Sequence, residues 1–183
     1  RSEANIAARV RDRVRRFMPP AAHVDAHVMF LFSRFADGWA TGPLLGIDLE
    51  HFADDYEHLI RVVAHEAVHD AENDLALPLP DLAETGEDRQ LLLAMREIYR
   101  EGLASYVAPV GAGGGAGGLA ADFGAFDSTF TALYGRHDIL RADTLMEAAI
   151  QGAGAFYRLG AYMAGVIDST LGRRALAETF RTG

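Results

Sequence analysis

Apolar residues recur at different spacings along the chain, and the spacings predict its elements. Ile6, Val10, Val14 and Phe17 stand three or four apart with arginines between them. Residues 2–17 therefore read as an amphipathic helix, which Pro19-Pro20 ends. Val24 to Phe32 is apolar and compatible with a strand. Asp37-Gly38 signals a turn, and a second β-like stretch runs from about Trp39 to Leu49. Thr41-Gly42-Pro43 breaks that stretch and leaves its start open, and Pro43 favours an edge position. From Asp54 to about Asn73 the pattern turns helical again. Its middle (Leu59, Ile60, Val62, Val63, Ala64, Ala67, Val68) is apolar nearly all round, which predicts a buried helix.

Leu77-Pro78-Leu79-Pro80 reads as a rigid loop. A helix opens at Glu84 or Thr85 and runs through Leu91, Met95, Ile98 and Leu103 to about Val107. Gly111 to Gly118 is a Gly/Ala run, expected to be a flexible linker. It is not a phosphate loop, because no Lys-Ser/Thr follows it. Four further helices are expected at about Asp127–Leu133, Ala142–Gln151, Gly154–Leu171 and Arg173–Phe180. The expected fold is α+β and mostly α-helical, with a small N-terminal sheet followed by a helical C-terminal block. One domain covers residues 1–183. Residues 1–110 hold the sheet and the two most informative helices, 111–118 the linker, and 119–183 the helical block.

Composition narrows the function classes. Half of the residues are apolar, yet no run approaches a membrane span. A net charge of −9 argues against nucleic acid as a general partner. The chain has no cysteine, so any zinc site must use histidines and carboxylates. All 17 basic residues are arginine, which together with abundant Ala and Gly suggests a GC-rich bacterial genome. No apolar signal core stands near Arg1. A soluble bacterial protein is expected. Export with a removed signal segment stays open, and the oligomeric state is not readable.

The chemistry centres on His65-Glu66-Ala67-Val68-His69 within the buried helix. Positions i and i+4 share a helix face, so His65 and His69 can ligate one metal ion, and Glu66 can reach a water bound to it. A buried helix that carries two histidines and a glutamate needs partners for them. A catalytic zinc usually takes three protein ligands plus water. Glu101, on a helix about thirty residues further on, is the candidate third ligand, and Gly102 beside it allows close helix approach. Asp122 and Asp127 are the alternatives, as third ligand or as a fourth that would close a structural site. Asp70 and Asp74 are candidates to orient a ligand imidazole. Oxyanion stabilisation is expected from Tyr157 first or Tyr162 second, with Arg158 in support. Three weaker features are a second metal site at His23, Asp25 and His27, a cleft-lining His58, and a solvated arginine face at Arg9, Arg11, Arg13, Arg15 and Arg16.

His65-Glu66-Ala67-Val68-His69 followed by Glu101-Gly102-Leu103-Ala104 resembles the gluzincin zinc metallopeptidases, in particular the bacterial peptidase MA-like families. The resemblance covers roughly residues 40 to 108. Tyr99 stands where many members carry an aromatic, often Trp, before the glutamate. Tyr157, Gly160, Met163 and Ala164 match a segment that follows the Glu-Gly-x-Ala helix in some related families. The resemblance implies a zincin-like fold with an edge strand before the HExxH helix. It also implies Zn2+ on His65, His69 and Glu101, Glu66 as catalytic base, and a peptide or protein substrate. The rival expectation is a zinc-stabilised binding or structural module that cleaves nothing.

Overall fold

A computed structural model describes residues 3–20, 22–24, 26–32, 37–41, 43–52, 55–75, 84–110, 118–152 and 154–182. Seven α-helices and three strands lie within them: α1 Glu3–Val14, β1 His27–Leu31, β2 Gly38–Thr41, β3 Leu44–Asp48, α2 Tyr56–Leu75, α3 Gly86–Val107, α4 Gly118–Phe130, α5 Ile139–Ile150, α6 Ala155–Leu171 and α7 Arg173–Thr182. The α+β expectation, mostly helical with a small N-terminal sheet, agrees with this order. The predicted linker lies almost wholly outside the described residues, as does the loop at Leu77–Pro80.

The sheet differs from expectation in one respect. The stretch from Trp39 to Leu49 is two strands, because the chain turns between Thr41 and Leu44. β2 runs antiparallel to β3, with Gly38 opposite Ile47 and Thr41 opposite Leu44. β1 runs parallel to β3, with His27 opposite Leu44 and Leu31 opposite Asp48. The order is β1-β3-β2, which makes β3 central rather than an edge. Pro43 is tolerated because it precedes β3, and its carbonyl accepts the His27 N–H at 2.7 Å. Leu45 and Ile47 of β3 are fully buried, as a strand paired on both sides would be.

The main core gathers Val10 and Val14 of α1, the inner face of β3, the apolar middle of α2, Leu103 and Val107 of α3, and Leu176 and Phe180 of α7. Arg9 supports this packing from outside with a bidentate pair to Glu57 of α2 at 2.7 and 2.6 Å. The α3 helix starts on a capping box. The Thr85 hydroxyl accepts the Asp88 N–H, and the Asp88 carboxylate accepts the Thr85 N–H. Tyr99 and Tyr106 then fasten α3 to its neighbours, donating to the Thr179 carbonyl at 2.6 Å and to Asp168 at 2.7 Å. A second core joins α3, α5 and α6 through Ala94, Ile98, Ala149, Phe156 and Leu159.

Where α3 crosses α6, glycine faces glycine. A Cβ on Gly102 would collide with the Gly160 backbone, and one on Gly160 with the Ile98 carbonyl. The crossing therefore brings Glu101 and Tyr157, each close to a glycine in sequence, onto neighbouring surfaces.

Candidate metal centre

His65 and His69 sit one turn apart on α2, both buried. Their rings meet edge to face, with centroids 4.9 Å apart. The two Nε2 atoms approach to 3.2 Å, and Glu101 Oε2 lies 3.2 Å from His65 Nε2 and 3.4 Å from His69 Nε2. Two imidazole nitrogens and a carboxylate oxygen thus converge on one point from two helices. Packed this closely, three lone-pair donors need a proton or a metal ion among them. They form a group that could hold a metal ion, with all three atoms within 4.8 Å of one another. The donor set, two imidazoles and a carboxylate with no thiolate, is one that zinc accepts.

The His69 ring is fixed from behind. Its Nδ1 lies 3.2 Å from Glu72 Oε2, so Nδ1 carries the proton toward Glu72 and Nε2 is directed at the centre. Glu72 is almost wholly buried on the same helix face, three residues on, with Arg100 Nε 3.7 Å away. Burial raises the His69 partner Glu72 above the usual carboxylate range, against the pull of His69 and Arg100. His69 itself is pushed up to about 10: burial opposes its charge, but hydrogen bonds to Glu101 and Glu72 outweigh it. Glu101 is held well below the usual range, with burial opposing and the two imidazoles prevailing. His65 Nδ1 is buried and makes no hydrogen bond among the described residues.

Glu66 is buried beside the cluster. Burial raises its pKa, and the nearby histidines lower it less. Its side chain lies against β2. A Cβ on Gly38 would stand 3.2 Å from Glu66 Oε1 and 2.7 Å from Val62 Cγ1, so the strand approaches α2 because Gly38 has none. β2 is an edge of the sheet.

Tyr157 closes another side. Its ring stacks on His65 with centroids 5.9 Å apart and planes within 8° of parallel. Burial, the charge of Glu101 and a hydrogen bond to Glu101 all push the phenol up, so it keeps its proton. Tyr162 is placed elsewhere. It lies five residues on, about 140° further round the helix, half exposed and edge-on to Phe123. Arg158 is engaged by buried Asp122 through contacts of 3.1 Å to both carboxylate oxygens. That pair takes Asp122 out of the ligand candidates, and Asp127 lies exposed on α4, so neither joins the cluster.

Of the residues expected to orient a ligand imidazole, Asp70 is half-buried and the side chain of Asp74 lies outside the described residues. Glu72 holds the position that sequence reasoning gave to them. Its signal was available, since i+3 from His69 shares that residue's face whereas i+1 does not. His58 packs on Phe52 and lies 3.8 Å from Asp37, away from the cluster. Of the proposed second metal site, Asp25 lies outside the described residues, while His23 and His27 are exposed.

A family model described as "Putative zinc dependent peptidase (DUF5700)" matches residues 1–114. The chain belongs to this family. The matched DUF5700 region contains His65, Glu66, His69, Glu72 and Glu101, and it ends before the helix that carries Tyr157. No curated protein and no solved structure matches the chain. Among the described residues, no helix is long and apolar enough to cross a membrane.

Proposed function

We propose that the protein is a zinc-dependent peptidase of gluzincin type. The observation that carries this reading is the convergence of His65 Nε2, His69 Nε2 and Glu101 Oε2 beside a buried Glu66. Membership of a family described as a zinc-dependent peptidase supports it.

Zinc bound by His65, His69 and Glu101 would supply Lewis acidity, polarising the scissile carbonyl and making water a nucleophile near neutral pH. Glu66 takes the proton from the attacking water and passes it to the leaving amine. Its raised pKa suits both halves of that transfer, since a weaker acid is a better base. Tyr157 keeps its proton and offers a phenolic O–H to the oxyanion of the tetrahedral intermediate. β2, an edge strand of the sheet among the described residues, lies against Glu66 at Gly38 and can hydrogen-bond an extended peptide along its main chain. Glu72 orients His69. Three protein donors leave room at the ion for water and substrate, as a catalytic site requires and a closed structural site does not.

The test is digestion of a mixed peptide library by zinc-loaded protein, by the same protein after chelation, and after zinc is restored. Cleavage that disappears with the metal and returns with it is expected. Stoichiometric zinc with no cleavage of any peptide would overturn the reading in favour of a zinc-stabilised, non-catalytic module.

A further inference from the structure

Asp37-Gly38, a turn signal in the sequence, leads into β2. The Asp37 carbonyl accepts the Asp48 N–H of β3 at 3.1 Å. In an antiparallel pair, residues alternate between bonding the neighbouring strand and facing away from it. Asp37 bonds inward, so Gly38 and Ala40 turn their N–H and C=O groups to the outer edge. Gly38 is thus the first residue of β2 with main-chain groups to offer an incoming strand. It is also the residue that meets the site, since a Cβ there would stand 2.7 Å from Val62 and 3.2 Å from Glu66.

The Asp37 side chain is gripped from two elements. His51 ends the short 3-10 turn Leu49–His51 after β3, and its Nδ1 lies 2.8 Å from Asp37 Oδ1. The far nitrogen of the same ring, Nε2, lies 3.9 Å from Oδ2 of Asp48, which is almost wholly buried and accepts the Glu50 N–H at 3.2 Å. His58, in the first turn of α2, places Nε2 3.8 Å from Asp37 Oδ2, and its ring packs edge-on against Phe52. Each ring therefore has a second anchor, Asp48 or Phe52, that fixes it independently of Asp37. Among the described residues, these groups do not come close enough together to share a metal ion, as those of His65, His69 and Glu101 do. They tie the start of β2 to α2, the helix that carries Glu66 two turns later. Contacts between partly exposed charged groups add little to stability. Their effect here comes from position, because an edge strand serves a reaction only where it holds the peptide at the right distance from the reacting groups.

We propose that Asp37 is a positioning residue: held by His51 and His58, it fixes Gly38 against Glu66 and so sets where an extended peptide paired with β2 lies relative to the metal centre. The inference rests on the peptidase reading and adds to it a residue that acts through Gly38 rather than on the reacting atoms.

Binding of labelled extended peptides to zinc-loaded Glu66→Gln protein, followed by fluorescence anisotropy, tests this without cleavage. Steady-state kinetics with Glu66 in place gives the split between KM and kcat. Asp37→Ala should raise both Kd and KM about five-fold, the scale of one lost contact between partly exposed groups. Zinc content and kcat should stay close to wild type. Asp37→Asn keeps an oxygen for His51 and loses the charge, and should fall between the two. His51→Ala added to Asp37→Ala should weaken binding no further, because the ring then has no Asp37 carboxylate to hold. Arg9→Gln breaks a different contact to α2, the pair with Glu57, and should leave Kd and KM at wild-type values. Unchanged Kd and KM in Asp37→Ala, a loss carried by kcat or zinc instead, or an equal rise in Arg9→Gln would overturn the proposal. The parent reading is separated by cleavage. If the wild type cuts peptides and Asp37→Ala cuts them with the same KM, the positioning role falls and the peptidase stands. If the wild type cuts none, yet Asp37→Ala weakens peptide binding and Arg9→Gln does not, the positioning role stands and the peptidase falls. Absence of peptide binding to any of these proteins would remove the positioning role.

Discussion

The candidate metal centre has two unlike walls. The α2 wall is closed: His69 is held by Glu72, both are buried, and Glu72 lies by half-buried Arg100. The α6 wall is open. Tyr157 stacks on His65, and an open cleft that Glu97 and Glu147 also line begins beside it. The closed wall lies within the family match and the open wall's tyrosine lies beyond it. Pinned and desolvated groups suit a fixed task such as holding an ion, since their geometry costs nothing to assemble at each turnover. Groups facing a cleft suit contact with a substrate that comes and goes. Damage to the closed wall should therefore appear as lost metal, and damage to the open wall as lost turnover or selectivity.

The largest effect should come from the closed wall. His69→Ala removes a proposed ligand and strands Glu72 and Glu101 without their shared partner. Zinc content measured by mass spectrometry should fall to background, and activity with it. Glu72→Gln is the sharper probe of the same wall. It weakens the acceptor for His69 Nδ1 without touching the ion, and zinc affinity should fall about 10- to 100-fold in a chelator competition. Unchanged affinity would mean that the closed wall does not set the metal.

Tyr157→Phe probes the open wall. Turnover should fall by about 100-fold, the low end for one lost oxyanion donor, while zinc content and KM stay close to wild type. A loss of zinc instead would merge the two walls into one. The smallest effect expected is from Gly160→Ala. The added Cβ meets the Ile98 carbonyl and pushes α6 from α3. Overpacking of this kind costs about 1–3 kcal/mol, readable in denaturant melts, and should lower turnover more than zinc affinity because it moves Tyr157.

The closed wall was largely legible in the sequence, and the open wall was not. Residues on one helix face are related by spacing, so His65, Glu66 and His69 followed from position alone. Glu101 followed from the Glu-Gly pair and the need for a third donor, and the structure brings it to the histidines. Glu72 could have been found by the same spacing, but attention to the residue next to His69 favoured Asp70. Across α6, spacing had no reference point. Spacing could place neither Tyr157, the first expectation, nor Tyr162, the second, until the glycine crossing fixed which face of the helix meets Glu101. Glu97 and Glu147 stand fifty residues apart on different helices, and only tertiary packing makes them neighbours. Arg158 was expected to help at the oxyanion, but its buried partner Asp122 lies 36 residues away. The sheet shows the same division. The turn between β2 and β3 was marked by Thr41-Gly42-Pro43, whereas the parallel pairing of β1 with β3 has no local signature.

The most direct test of the account is to measure zinc and turnover together in Glu66→Gln, using a peptide that the wild type cuts. The substitution keeps the shape of the side chain and removes its ability to take a proton. The account expects one zinc per chain, as in wild type, with turnover lower by about 10²- to 10⁴-fold. Wild-type turnover with zinc in place would contradict it.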